Sequence, residues 1–144
     1  MIDGGVHIAF YTWWEMIHRK GNPAGIVVSI RNPGAQMPEF EPGWKAIHYE
    51  TFHDIDSRYH DFQMMTYRQA FRIALFVERQ LRREEVNEIA IHCQDGVSRS
   101  AGVAVPLSER LGVPLEQPTD GANPLVLRKM RFAMAVCRIL RPIL

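Results

Sequence analysis

EIAIHCQDGVSRSAG, residues 88–102, sets a cysteine and a glycine between two differently patterned segments. Its first five residues, EIAIH, are a short apolar run suited to a buried strand. Cys93 closes the run and Gly96 interrupts it. From Arg99 the pattern turns helical and stops at Gly112, where a glycine can take the left-handed conformation of a helix C-cap. A strand, a glycine turn and a helix thus follow one another within a few residues.

Working outward, the same alternation recurs. GIVVSI (25–30) is a β-branched run between turn-forming segments, and VHIAFYT (6–12) and WKAIHYET (44–51) also have strand character. WWEMIHRK (13–20) places Trp13, Trp14 and Ile17 at helical spacing. Thr66 followed by Gln69 forms a capping box, after which Ala70, Ile73, Ala74, Val77 and Leu81 share one helical face. Arg68, Arg72, Arg79, Arg82 and Arg83 make the opposite, solvated face. A last helix is expected from Asn123 to about Leu140, and no internal repeat is seen. Strands alternating with helices predict an α/β fold with a largely parallel central sheet flanked by helices. In such sheets ligands bind beyond the carboxyl ends of the strands, where both Cys93 and the Asp54 segment would lie.

The chain has 144 residues, within the range of one domain, so residues 1–144 are read as a single unit. With 47% hydrophobic and 23% charged residues it has the composition of a globular protein. Seventeen Lys and Arg stand against 16 Asp and Glu, a formal net charge of +1. That excludes recruitment of nucleic acid or an anionic membrane by global charge alone. No targeting segment or membrane-length apolar run is found, so a cytoplasmic location without membrane insertion is expected. Cys93 and Cys137 are then expected as free thiols. Cys137, in the apolar MRFAMAVCRIL, reads as core, as do Trp13, Trp14, Trp44 and the methionines.

A strand-to-helix loop collects backbone N–H groups at the positive end of a helix dipole, and such a place favours anions. It stabilises a thiolate at Cys93, which makes that residue a candidate nucleophile. Gly96 allows the amides to turn inward, and Arg99 offers a planar fork for two phosphate oxygens. Asp95 inside the loop would repel a phosphate and is expected to point outward. Pro106, well inside the helix, predicts a kink or an early break.

His92, Cys93, Arg99 and Ser100 together match the HCx5R(S/T) signature of the cysteine-dependent protein tyrosine phosphatase superfamily. The chain resembles the compact dual-specificity branch, in particular small prokaryotic or phage members. In these, VSI (28–30), FxDI (52–55), the helix of residues 66–83, the signature and NPLVLRKM (123–130) occur in the same order. The resemblance implies a dual-specificity phosphatase-like fold and phosphomonoester hydrolysis through a phosphocysteine intermediate, with no cofactor and no metal. It assigns Cys93 as nucleophile and Arg99, with the amides of Gln94, Asp95, Gly96, Val97 and Ser98, as the phosphate cradle. Ser100 would assist departure of the sulfur, and His92 would support the thiolate. Asp54, matching FxDI, is the first choice for general acid, with Asp56 and Asp61 in the same loop as alternatives. The implied partner is a phosphorylated protein or a small phosphomonoester, an RNA 5′-phosphate or phosphoinositide among them.

Two rival readings stand beside this one. His48, His53, Asp54, Asp56, His60 and Asp61 contain two HD pairs and could hold a metal in a phosphohydrolase of the HD type. Alternatively, the domain binds phosphate without turnover, as a pseudophosphatase.

Overall fold

The computed structural model describes residues 5–83 and 85–143. Residues 1–4, which belong to the segment searched for a targeting signal, lie outside them. Four strands, β1 (His7–Thr12), β2 (Gly25–Arg31), β3 (Ala46–Thr51) and β4 (Glu88–Cys93), form one parallel sheet in the order β1-β4-β2-β3. The helices are α1 (Trp13–Ile17), α2 (Tyr67–Arg83), α3 (Arg99–Leu111) and α4 (Pro124–Leu140), followed by a short 3-10 turn at Arg141–Ile143. The protein is therefore α/β with helices flanking an all-parallel sheet.

Parallel strands covered on both faces need apolar side chains in both directions, which explains the unbroken runs of β2 and β4 at the sheet centre. Ile26, Val28, Ile30, Ile89 and Ile91 join one cluster with residues of α2, α3 and α4. Val27 and Ala90 point the other way, to Met16 of α1 and to Tyr11, Phe40, Trp44 and Ile47. Ser29 and His92, neighbours in the β2–β4 register, are buried polar residues in this otherwise apolar centre. Edge strand β1 is closed by Gln117, whose side-chain amide accepts from Phe10 N–H (2.8 Å) and donates to Phe10 C=O (2.6 Å). This satisfies edge groups that would otherwise invite a further strand.

Helix α2 starts as the capping box requires, with Thr66 Oγ1 accepting from Gln69 N–H and Gln69 Oε1 from Thr66 N–H. Ala70, Ile73, Ala74 and Val77 are fully buried, and Leu81 packs partly buried on the same core. The five arginines of the other face are exposed, Arg72 reaching back to Glu50 of β3 at 2.8 Å.

The structure departs from the sequence reading at the N-terminal helix and shows no early break at Pro106. α1 has only five residues, and Met16 rather than either tryptophan is its buried residue; Trp14 is 64% exposed. The Thr12 cap sets a phase in which Trp14 faces solvent, so it is not core. Helix α3 runs through Pro106 to Leu111 without breaking. The residue four positions earlier is Gly102, which offers the proline ring no side chain and packs closely on Val126 of α4. Gly112 caps α3 with φ +67°, as expected.

No helix among the described residues is long and apolar enough to cross a membrane.

Candidate active site

β4 ends at Cys93 and α3 begins at Arg99, so the loop of residues 94–98 joins the carboxyl end of a central strand to a helix N-terminus. Gly96 makes the turn with φ +67°. A Cβ there would lie 2.4 Å from Thr12 N and 2.5 Å from Tyr11 C, so the loop rests directly on the backbone that leaves β1. Only glycine meets both demands. Trp13 N–H donates to Gln94 C=O (3.4 Å) and ties the same junction from the other side. Gln94, Asp95 and Val97 are exposed, so the Asp95 carboxylate does face outward.

Cys93 is 1% exposed, and its sulfur lies toward the first turn of α3. Ser100 N–H donates to Sγ at 3.4 Å, and Sγ and Ser100 Oγ are 3.2 Å apart. His92 is fully buried behind it. Its Nε2 lies 2.7 Å from Ser29 Oγ and its Nδ1 3.4 Å from Cys93 C=O. Burial pushes the imidazole down to about 4, with the Arg99 charge acting in the same direction. His92 is therefore neutral near pH 7 and brings no charge to the sulfur's surroundings. Cys137 is the contrasting thiol: it is free and buried in α4, and desolvation pushes its pKa up.

Arg99 is 4% exposed. Its Nη1 donates to Asn32 Oδ1 and to Phe52 C=O, both at 2.7 Å. Its Nε is buried and has no partner. A guanidinium taken out of water with one edge anchored and a donor on the other edge unmet calls for an anion.

Asp54 follows β3 and is exposed, yet its carboxyl is held. Oδ1 accepts from Ser98 Oγ–H at 2.7 Å and from Asn123 Nδ2–H at 2.8 Å. The segment that carries it is pinned by buried Phe52 and Met65 and by a clasp between His53 and Gln63. In the clasp His53 N–H donates to Gln63 C=O and Gln63 N–H donates to His53 Nδ1. Asp54, Asp56, Tyr59, Ser98, Asn123 and Pro124 line a cleft of about 360 Å³ beside the 94–98 loop. Asp56 thus shares the cleft without the bonds that Asp54 makes, and Asp61 is exposed outside its lining.

The three histidines of the candidate metal set are engaged elsewhere. His48 bonds Glu50 at 2.8 Å, His53 stacks on Phe62, and His60, with φ +48°, packs edge-on to Tyr59. Among the described residues no three His, Cys, Asp or Glu side chains converge as metal ligands.

Asn32, Ser29 and Asn123 were not singled out in the sequence. Asn123 had a legible signal, since an asparagine directly before a proline at a helix start is a capping pattern. Asn32, in a turn-rich segment, had none. No family model matches the chain, and neither does any curated protein or solved structure.

Proposed function

We propose that this protein is a cysteine-dependent phosphomonoester hydrolase of the protein tyrosine and dual-specificity type. The observation that carries this reading is the buried Arg99 guanidinium, fixed at Nη1 and unmet at Nε, one residue before the serine that holds Cys93 Sγ. An oxyanion is the ligand that satisfies such a donor, and the α3 N-terminus beside it adds favourable dipole.

In the first step Cys93 Sγ attacks phosphorus. An S–P bond forms, the ester P–O bond breaks, and the leaving oxygen takes the proton of Asp54. Arg99 and the loop amides stabilise the charge on the phosphoryl oxygens. In the second step water attacks phosphorus and gives its proton to Asp54. The S–P bond breaks, inorganic phosphate is released, and Ser100 Oγ–H donates to the departing sulfur. Asp54 is assigned over Asp56 and Asp61 because its carboxyl alone of the three is bonded to the phosphate loop. Asp95 faces outward and shapes the rim, while Gln94, Gly96, Val97 and Ser98 contribute backbone. The substrate is a phosphorylated protein or a small phosphomonoester. A cytoplasmic setting would keep Cys93 reduced.

The test is turnover of 4-nitrophenyl phosphate by wild type and Cys93→Ser, each with and without chelator. Turnover that vanishes in Cys93→Ser and ignores chelator supports the proposal. Activity that survives Cys93→Ser but is lost in chelator assigns a metal-dependent hydrolase, and binding of phosphate without turnover in wild type assigns a pseudophosphatase.

A further inference from the structure

We infer that Ser98 and Asn123 are positioning residues that hold the Asp54 carboxyl in a single orientation and leave Oδ2 as the oxygen that carries the transferable proton. The inference rests on the reading of Asp54 as general acid. Oδ1 accepts two hydrogen bonds, from the Ser98 hydroxyl and the Asn123 amide, and a carboxyl oxygen has two lone pairs. A proton on Oδ1 would face two donors, so it resides on Oδ2.

The Asn123 donor is not free to turn away. Asn123 Oδ1 accepts from Leu125 N–H (2.9 Å) and Val126 N–H (3.2 Å) and so caps α4. A flipped amide would set NH₂ against those two N–H groups, so Nδ2 must face Asp54 Oδ1 and Ile55 C=O. Asn123 N–H also donates to Ser98 C=O at 2.9 Å, and the residue is 4% exposed. Ser98 stands at the N-cap of α3 but makes no side-chain capping bond. Its hydroxyl oxygen accepts from no α3 N–H, the ordinary use of serine there, and its one proton is donated to Asp54. The phosphate loop, the α4 N-terminus and the acid-bearing segment therefore meet at one carboxyl oxygen. An exposed carboxyl would otherwise sample several rotamers, and loss of alignment is costly in proton transfer.

The experiment measures kcat/KM for a series of aryl phosphates running from 4-nitrophenyl, whose leaving group needs little protonation, to phenyl, whose leaving group needs it most. Ser98→Ala removes one donor, and Asn123→Ser removes the other while keeping an oxygen for the α4 cap. Each is expected to lower phenyl phosphate turnover roughly tenfold more than 4-nitrophenyl turnover, the upper range for one hydrogen bond to a neutral carboxyl. The dependence of rate on leaving-group acidity steepens accordingly. Ser98→Thr, which keeps the hydroxyl, should restore it. In an Asp54→Asn background Ser98→Ala should add less than a twofold loss, because the two residues act as a unit. Equal losses on both esters, or a full further loss in the Asp54→Asn background, overturn the positioning role and leave the phosphatase reading intact. Wild type inert on every ester overturns both.

Discussion

Alanine at Gly96 is the sharpest perturbation the structure offers, because a second glycine with the same backbone angle serves as its control. Gly96 and Gly112 both have φ +67°. An alanine Cβ at Gly112 would meet nothing within 4 Å, whereas at Gly96 it would fall 2.4 Å from Thr12 N. Both substitutions carry the left-handed strain of an L-residue, about 1–2 kcal/mol. Only Gly96→Ala adds a collision with backbone at the β1–α1 junction, which cannot swing aside as a side chain would. Reaching the 3.4 Å of ordinary contact requires the loop to retreat by 3.4 − 2.4 = 1.0 Å. A misplacement of about 1 Å in a positioned site can cost on the order of 10²-fold in rate. The assay pairs thermal melting with kcat/KM on 4-nitrophenyl phosphate. Gly112→Ala should melt a few degrees lower and keep its rate within threefold; Gly96→Ala should lose at least about as much stability and roughly 10²-fold in rate. If Gly96→Ala retains near-wild-type turnover, or Gly112→Ala loses as much, the 94–98 loop is not seated on β1 in the way described.

Three further outcomes follow from the same geometry. His92 titrates at about 4 when folded against an ordinary 6.5, so the unfolded chain binds the extra proton in that window. Stability is complete above pH 6.5 and falls toward pH 4, by about 2 kcal/mol between pH 7.5 and 5. Urea midpoints at the two pH values should show this slope, and His92→Gln should flatten it. Inorganic phosphate at a hundredfold its Kd should raise stability by about 2.7 kcal/mol, a melting shift of about 5–10 °C. Arg99→Lys, whose single nitrogen cannot stand at both the Nη1 position bonded to Asn32 and Phe52 and the Nε position left for the ligand, should remove most of that shift. Asn32→Ala frees one side of the guanidinium and should weaken phosphate binding measured by calorimetry roughly tenfold, while Cys93→Ser should bind phosphate yet show no turnover.

The elements were legible in the sequence because they depend on neighbours in the chain. Periodicity marked β2, α2 and β4, the Thr66–Gln69 pair marked a helix start, and Gly112 marked a helix end. The spacing of Cys93, Gly96, Arg99 and Ser100 is likewise local, since one strand, one turn and one helix start carry all four. Where the local rules competed they were less reliable: α1 is shorter than its apolar spacing implied, and Gly102 let α3 continue past Pro106.

What only the tertiary structure decided are the contacts between segments far apart in the chain. Nothing in the order of residues joins Arg99 to Asn32 and the Phe52 carbonyl, or Asp54 to Ser98 and Asn123; the parallel sheet does, by bringing the carboxyl ends of β2, β3 and β4 to one edge. The sequence by itself determined which chemistry could be assembled, because strand, turn and helix signals are short-range. Which of three aspartates bonds the loop of residues 94–98 depends on side-chain directions across that edge, and those directions exist only once the strands have packed.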